Sequence, residues 1–191
     1  MRPRFTVLLI LAATGAMSIP SVATAKSAKA NKTHHKKKKK GPTLAQKIQT
    51  AVKIAERSPD LWATVNVCTS SPTQDEVGIR GQMPSLGYAA TLSMNISVDY
   101  WNFDTNVFQP ASLSQKVALG KGTHGLHQGG VNFPITPPAS GSQYLVRGSV
   151  TFSWMIGSKV VGTVTRNTGH GYANVGFANP PGYSSGTCTL M

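Results

Sequence analysis

The sequence predicts a mainly β protein built as an antiparallel β-sandwich, and three observations lead to that fold class. From Leu61 onward, apolar and polar residues alternate with the period of two that is typical of strands with one buried face. Glycine and proline fall between the alternating runs, where turns are expected. Only 13% of the residues are charged, which leaves serine, threonine and asparagine for the outer faces of the strands. Seven to nine short strands over about 130 residues are typical of a sandwich.

Residues 1–25 have the parts of a signal peptide. Two arginines form a positively charged start, residues 7–13 are apolar, and Ala23-Thr24-Ala25 matches the small-x-small pattern of a cleavage site. The apolar run is shorter than the roughly 20 residues that cross a bilayer, although a retained anchor is the alternative. We therefore expect cleavage before Lys26 and an exported protein that is secreted or held in the cell envelope.

Residues 26–42 form a lysine-rich leader. They contain eight lysines and no acidic residue, whereas the chain from Thr43 onward has nine basic and six acidic residues. Without large apolar side chains to bury, the leader is expected to be disordered. It has no aromatic side chain to stack on bases, so no specific nucleic acid recognition is expected.

The leader's charge predicts a partner. Each lysine near an anionic bilayer contributes about 1 kcal/mol, so the run is expected to attach the protein to an anionic cell-wall polymer or a membrane surface. The alternative is a spacer that only solubilises the protein. The residues expected to bind the anionic polymer are Lys36, Lys37, Lys38, Lys39 and Lys40.

A helix is predicted over residues 43–58, ahead of a β-sandwich domain over residues 59–191. Thr43 and Gln46 have the spacing of a capping box, and Ser58-Pro59 ends the helical pattern. A narrow apolar stripe predicts that the helix docks against a sheet edge. The stripe consists of Leu44, Ile48, Ala51, Val52 and Ala55.

Strands are predicted wherever the alternation of apolar and polar residues persists. The clearest is 90–102, in which Ala90 to Tyr100 point inward at every second position and Trp101 points outward. The other predicted strands are 61–68, 77–83, 116–119, 131–135, 144–156, 159–166, 172–177 and 187–190.

The two cysteines, Cys68 and Cys188, lie in the first and last predicted strands. In an exported protein, a disulfide between them is the economical interpretation. Two free thiols or an intermolecular pair are the alternatives.

Four segments in order resemble a known group of proteins. They are residues 61–68 (LWATVNVC), 77–84 (VGIRGQMP), 146–154 (VRGSVTFSW) and 180–188 (PPGYSSGTC). Over most of 61–190 the chain is similar to uncharacterised exported bacterial β-sandwich proteins. The resemblance implies an Ig-like sandwich with one terminal disulfide, and it implies no activity, cofactor or catalytic residue.

Trp101 and Phe103 are candidate ligand-binding residues. They follow each other at a strand end beside Asn102 and Asp104, and exposed aromatics next to such polar groups bind sugars in many sandwich modules. A carbohydrate-binding module is therefore one hypothesis. The alternative is that both side chains pack beneath the helix or a long loop.

Three histidines, His124, His127 and His170, are the metal-ligating candidates of the domain, and a metal-dependent enzyme is the hypothesis they allow. Histidines in turns or on the surface are the alternative, and on that interpretation no metal or cofactor is expected. The sequence has no Gly-x-Ser-x-Gly motif, and its six acids are dispersed. We therefore expect a non-catalytic binding or structural protein of the cell envelope.

Overall fold

A computed structural model of the protein describes residues 41–191. The predicted signal peptide and the predicted lysine-rich leader up to Lys40 lie outside the described residues. The described part consists of a helix followed by strands. In chain order, the elements are α1 (Leu44–Glu56), β1 (Trp62–Thr69), β2 (Asp75–Pro84), β3 (Ala90–Asn102), β4 (Val107–Gly122), β5 (Leu126–Ile135), β6 (Tyr144–Ile156), β7 (Lys159–Asn167) and β8 (Cys188–Leu190).

The strands form two antiparallel sheets, which confirms the predicted β-sandwich. Sheet 1 has the order β1-β2-β5, and sheet 2 has the order β4-β3-β6-β7 with β8 paired to β6. Strand β8 pairs with the first residues of β6, so that Cys188 lies opposite Val146. The two sheets place their inner faces together, because each strand supplies an apolar side chain at every second position.

The core lies between the sheets and is made of these inward residues. Val65 and Ile79 come from sheet 1, and Ile96, Phe152 and Trp154 come from sheet 2; all five are fully buried. The indole Nε1 of Trp154 donates a hydrogen bond of 2.8 Å to the carbonyl oxygen of Pro84, so its polar atom has a partner. The prediction that every second residue from Ala90 to Val98 points inward is therefore confirmed.

Helix α1 begins with the predicted capping box and docks on the edge of sheet 2. The Thr43 side chain accepts a hydrogen bond from Gln46 N, and the Gln46 side chain accepts one from Thr43 N. Gln49 Nε2 donates to the carbonyl of Val161 on edge strand β7 at 3.3 Å. A Cβ atom at Gly162 would lie 2.4 Å from Val52, so this glycine lets the helix approach β7 closely. The predicted docking against a sheet edge is confirmed.

The disulfide between Cys68 and Cys188 is present, with 5.6 Å between the Cα atoms. It joins β1 of sheet 1 to β8 of sheet 2, and its closed loop spans a sequence separation of 120. A disulfide indicates an extracytoplasmic location, because reducing compartments keep thiols free. Among residues 41–191, helix α1 is too short and too polar to cross a membrane.

Two predicted strands are longer than expected, one is absent, and one side chain predicted to point inward is exposed. Strand β5, at Leu126–Ile135, extends beyond the predicted 131–135 and contains Gly129 and Gly130. Strand β4 is much longer than the predicted 116–119, because its exposed first half pairs with the end of β3 and contributes little to the core. Residues 172–177 form no strand, since Asn174 and Phe177 have left-handed φ angles of 57° and 54° that break an extended backbone. Tyr100 is 37% exposed at the end of β3, where its hydroxyl donates to Gln109.

Candidate functional site

Phe103 lines a groove at the end of the sandwich that carries the disulfide. Asn102 Oδ1 accepts hydrogen bonds from the backbone N atoms of Asp104 and Thr105, and these bonds fix the turn between β3 and β4. Phe103 is 55% exposed on this turn. It lines a groove of about 640 Å³ together with Gly141, Ser142, Gln143 and Met191.

A second groove adjoins the first. It has a volume of about 530 Å³ and is lined by residues 70–72, residues 137–141 and Met191, so it shares Gly141 and Met191 with the first. The backbone N of Met191 donates to Ser70 Oγ at 3.3 Å, which holds the last residue against the end of β1. Hydroxyl, proline and aromatic side chains thus share one end of the sandwich.

Trp101, the other predicted ligand-binding residue, belongs to a separate cluster. Its ring meets Phe108 edge-on, with 5.0 Å between the ring centroids. The Arg147 guanidinium lies 4.1 Å from the centroid of Phe108 and forms an ion pair of 3.2 Å with Asp99. Trp101 is half-buried in this cluster rather than beneath the helix, and it does not line the groove at Phe103.

The structure does not bring His124, His127 and His170 together. His127 lies opposite Met83 in the β5–β2 pairing, and its Nε2 is 3.0 Å from Ser85 Oγ. His124 and His170 are exposed in separate loops. Within residues 41–191, no three His, Cys, Asp or Glu side chains lie close enough to hold a metal ion.

A region that the sequence patterns indicated wrongly, as a strand over residues 172–177, lies on the outer face of sheet 1. Residues 168–187, which we call the cover segment, run along the free edge of β1. Isolated bridges join Thr64 to Gly169, Val65 to Ser185 and Val67 to Asn179. The segment therefore satisfies the edge backbone of β1 and protects it from pairing with another chain.

Polar side chains of sheet 1 are buried beneath the cover segment. Thr64 is fully buried, and its hydroxyl donates to the carbonyl of Gly169 at 2.9 Å. Asn66 Nδ2 donates to the carbonyl oxygens of Gly176 and Phe177 at 3.3 and 3.0 Å. These bonds fix an irregular backbone that has no strand ladder of its own.

Glutamines complete this polar layer. Gln128 Nε2 donates to Gln82 Oε1 at 2.9 Å and to the carbonyl of Asn174 at 3.0 Å. Gln128 Oε1 accepts from Gly176 N at 3.1 Å. The part of the cover segment from Asn174 to Phe177 is therefore held from both β1 and β5.

Arg80 and Phe177 meet at the exposed border of the layer. Arg80 points outward from β2, and its guanidinium carbon lies 4.8 Å from the centroid of the Phe177 ring. Burial lowers the pKa of Arg80 below its usual value, because desolvation disfavours the charged form. Its Nε is buried without a hydrogen-bond partner among the described residues.

Sequence patterns indicate only part of the region around Arg80 and Phe177. The Gly129-Gly130 pair is typical of a turn, yet it lies within β5. A Cβ atom at Gly129 would lie 2.5 Å from Leu119, and one at Gly130 would lie 2.7 Å from the carbonyl oxygen of Ile79. The contact of Arg80 with Phe177 joins residues far apart in the chain, so no local spacing could indicate it.

Comparisons with known proteins add a distant similarity in fold. Neither a protein-family model nor a curated protein matches this sequence. A glycosyl hydrolase family 2 member from Bacteroides cellulosilyticus is similar to 59% of this chain, with 15% identity and a TM-score of 0.33. Bacteroides uniformis β-glucuronidase 2 is similar to 58% of it, with 16% identity and a TM-score of 0.34. The matched part covers only 15% and 13% of those two proteins, and similarity of this extent carries no conclusion about activity.

Proposed function

We propose that this chain is an exported, non-catalytic binding or structural protein that the lysine-rich leader attaches to anionic cell-envelope material. The observation that carries the proposal is the separation of charge along the sequence. Residues 26–42 have eight lysines and no acid, whereas the chain from Thr43 onward is nearly balanced. Attraction to an anionic surface therefore acts on the leader and not on a basic cleft of the sandwich.

The fold supports this role. The chain passes from sheet 1 to sheet 2, back to sheet 1 for β5 and again to sheet 2, a connectivity that supports an Ig-like assignment. The disulfide stabilises such a domain outside the reducing cytoplasm.

Export through a signal peptide cleaved before Lys26 is part of the proposal. Amino-terminal sequencing of the exported protein tests it, and a first residue other than Lys26 contradicts it.

Retention on vesicles that contain anionic lipid, and on purified anionic wall polymer, tests the attachment. The full exported chain is expected to bind at low ionic strength and to elute as salt rises, because salt screens the attraction. Replacing Lys36 to Lys40 by serine is expected to abolish retention. The matched control removes the same number of charges from the rest of the chain and is expected to leave retention unchanged. It replaces Lys47, Lys53, Lys116, Lys121 and Lys159. Retention that does not respond to salt contradicts the proposal.

A second candidate function is carbohydrate binding at the groove beside Phe103. The exposed ring and the adjacent Ser142 and Gln143 side chains supply a stacking surface and hydrogen-bonding groups, which favour this candidate. A sugar array is the test, with Phe103→Ala expected to remove the signal. Trp101→Ala is expected to keep it, since Trp101 does not line the groove. An array that is silent for the unaltered protein contradicts this candidate.

A further inference from the structure

Arg80 lacks the partner that a half-buried arginine usually has. Its Nε has no hydrogen-bond partner in the part of the chain that the structure describes, whereas Arg147 on the other sheet is paired with Asp99 at 3.2 Å. The acid nearest along the same face of β2 is Glu76, four residues and about 13 Å away. Glu76 accepts a hydrogen bond from Asn132. An unpaired charged donor destabilises the protein. Because Nε itself is buried, an anion from solvent would pair with the terminal Nη1 and Nη2 atoms and offset part of the cost of the charge.

Phe177 is displayed on a backbone that is held in place. The residue is 87% exposed, although its φ angle of 54° is unfavourable for a large side chain. The hydrogen bonds from Asn66 and Gln128 to residues 174–177 maintain this conformation. Strained residues that the surrounding structure fixes are frequent in ligand-binding sites. Contact with Arg80 leaves most of the ring free for a ligand.

Two glycines leave space around Arg80. Gly130 lies directly opposite Arg80 in the sheet, and a Cβ atom there would lie 3.2 Å from Arg80 Cα. A Cβ atom at Gly176 would lie 3.4 Å from Arg80 Nη1. Because φ is not left-handed at either position, the missing side chain provides room and not conformational freedom. Gly176 therefore lies against the guanidinium without displacing it. Arg80 is half-buried, so part of its side chain stays accessible to a group that approaches from solvent.

We propose that Arg80 and Phe177 bind an acidic saccharide, with its carboxylate on the Arg80 guanidinium and its sugar ring against Phe177. The planar guanidinium forms two parallel hydrogen bonds with a carboxylate. The face of an aromatic ring packs against the apolar C–H face of a sugar. This site is on the sandwich and does not depend on the leader, so it stands or fails independently of electrostatic attachment.

Titration calorimetry with an oligogalacturonate and with its methyl ester tests the proposal on the full exported chain. The same titrations with Lys36 to Lys40 replaced by serine remove the attraction of the leader for a polyanion. The methyl ester has the same rings without the charge, and it is expected to bind at least tenfold more weakly. Arg80→Gln is expected to weaken binding of the acid about tenfold or more, and Phe177→Ala by roughly two- to tenfold. Lys121→Gln removes an exposed charge elsewhere and is expected to leave binding unchanged.

Chemical unfolding of the same variants separates a binding role from a structural role. Since Arg80 Nε has no partner among the described residues, Arg80→Gln is expected to leave the unfolding midpoint unchanged or raised. A lowered midpoint together with unaltered saccharide affinity would assign Arg80 to the fold and overturn the proposal.

Three further results would also overturn it. They are equal affinity for the acid and its methyl ester, no binding of the acid by the unaltered protein, and loss of binding on replacing Lys36 to Lys40 but not Arg80. The last result would leave electrostatic attachment intact, so the two proposals are separated. A dimer of the unaltered protein that Phe177→Ala dissociates, with unaltered saccharide affinity, would assign Phe177 to self-association instead.

Discussion

The outer faces of the two sheets differ in what lies against them. On sheet 2, the outward side chains of β3 and β6 alternate with buried ones, and residues such as Asn95 and Thr151 face solvent or are half-exposed. On sheet 1, every residue of β1 from Trp62 to Val67 is buried, because the cover segment lies along it. Sheet 2 thus has a solvated outer face, which we call the open face. Sheet 1 has a covered face, on which a polar layer is enclosed between the strands and the cover segment.

This difference shows how side chains of a sheet can hold an irregular segment that has no strand ladder of its own. The cover segment makes few ladder bonds, and side chains of the sheet bind its carbonyl groups instead. Trp62 adds a stacking contact with Tyr172, with 4.9 Å between the ring centroids. The geometry at Phe177 and Arg80 depends on this support, while the groove at Phe103 is formed by the β3–β4 turn, residues 141–143 and Met191.

Removing the disulfide is expected to have the largest effect on this arrangement. The double substitution Cys68→Ser and Cys188→Ser is expected to lower the free energy of unfolding by about 4 kcal/mol, because a cross-link over such a long loop restricts the unfolded chain. Urea unfolding with and without reductant measures it. Reductant is the control, since it should affect the unaltered protein and not the variant. Equal stability of the two proteins would contradict the prediction.

Asn66→Ala is expected to destabilise the covered face by roughly 1–3 kcal/mol, because it leaves the carbonyl groups of Gly176 and Phe177 without their donor. Asn95→Ala is the matched control on the open face, where Asn95 is exposed, and it is expected to change stability by about 0.5 kcal/mol or less. Equal effects of the two substitutions in urea unfolding would show that the two faces do not differ in energy.

Sheet 2, which carries the open face, is also the part of the fold that sequence predicts best. The alternation of residues 90–98 and 144–156 predicts the strands and their buried side chains together, because each inward residue is buried by the opposite sheet. Helix α1 and the disulfide are predicted as well, since a capping box is local and a chain with two cysteines has one intramolecular pairing. The cover segment is not predicted. Several of its hydrogen bonds come from residues far away along the chain, as in the bond from Asn66 to Phe177 across 111 positions.

The candidate site residues also differ in how far the sequence predicts their surroundings. Exposure of Phe103 is one of two alternatives that the sequence leaves open, and the turn between β3 and β4 leaves the side chain 55% exposed. Packing of Trp101 against Phe108 could not be predicted, since the predicted strand 116–119 omitted the first half of β4. Arg80 lies in the predicted strand 77–83, and its missing partner is a property of the folded surface.

The smallest effect is expected for a cross-strand pair on the open face. Thr151 and Thr165 lie opposite each other on β6 and β7, and their hydroxyl oxygens are 2.9 Å apart. Because both side chains have access to water, Thr151→Ala is expected to lower the free energy of unfolding by about 0.2–1 kcal/mol.

Comparison with Thr64→Ala, which removes a fully buried hydroxyl from the covered face, is the sharpest test. The covered substitution should leave the Gly169 carbonyl without that donor and cost more, at roughly 1–3 kcal/mol. If Thr151→Ala costs as much as Thr64→Ala in urea unfolding, solvent does not replace the lost bond, and the open face is as tightly determined as the covered one.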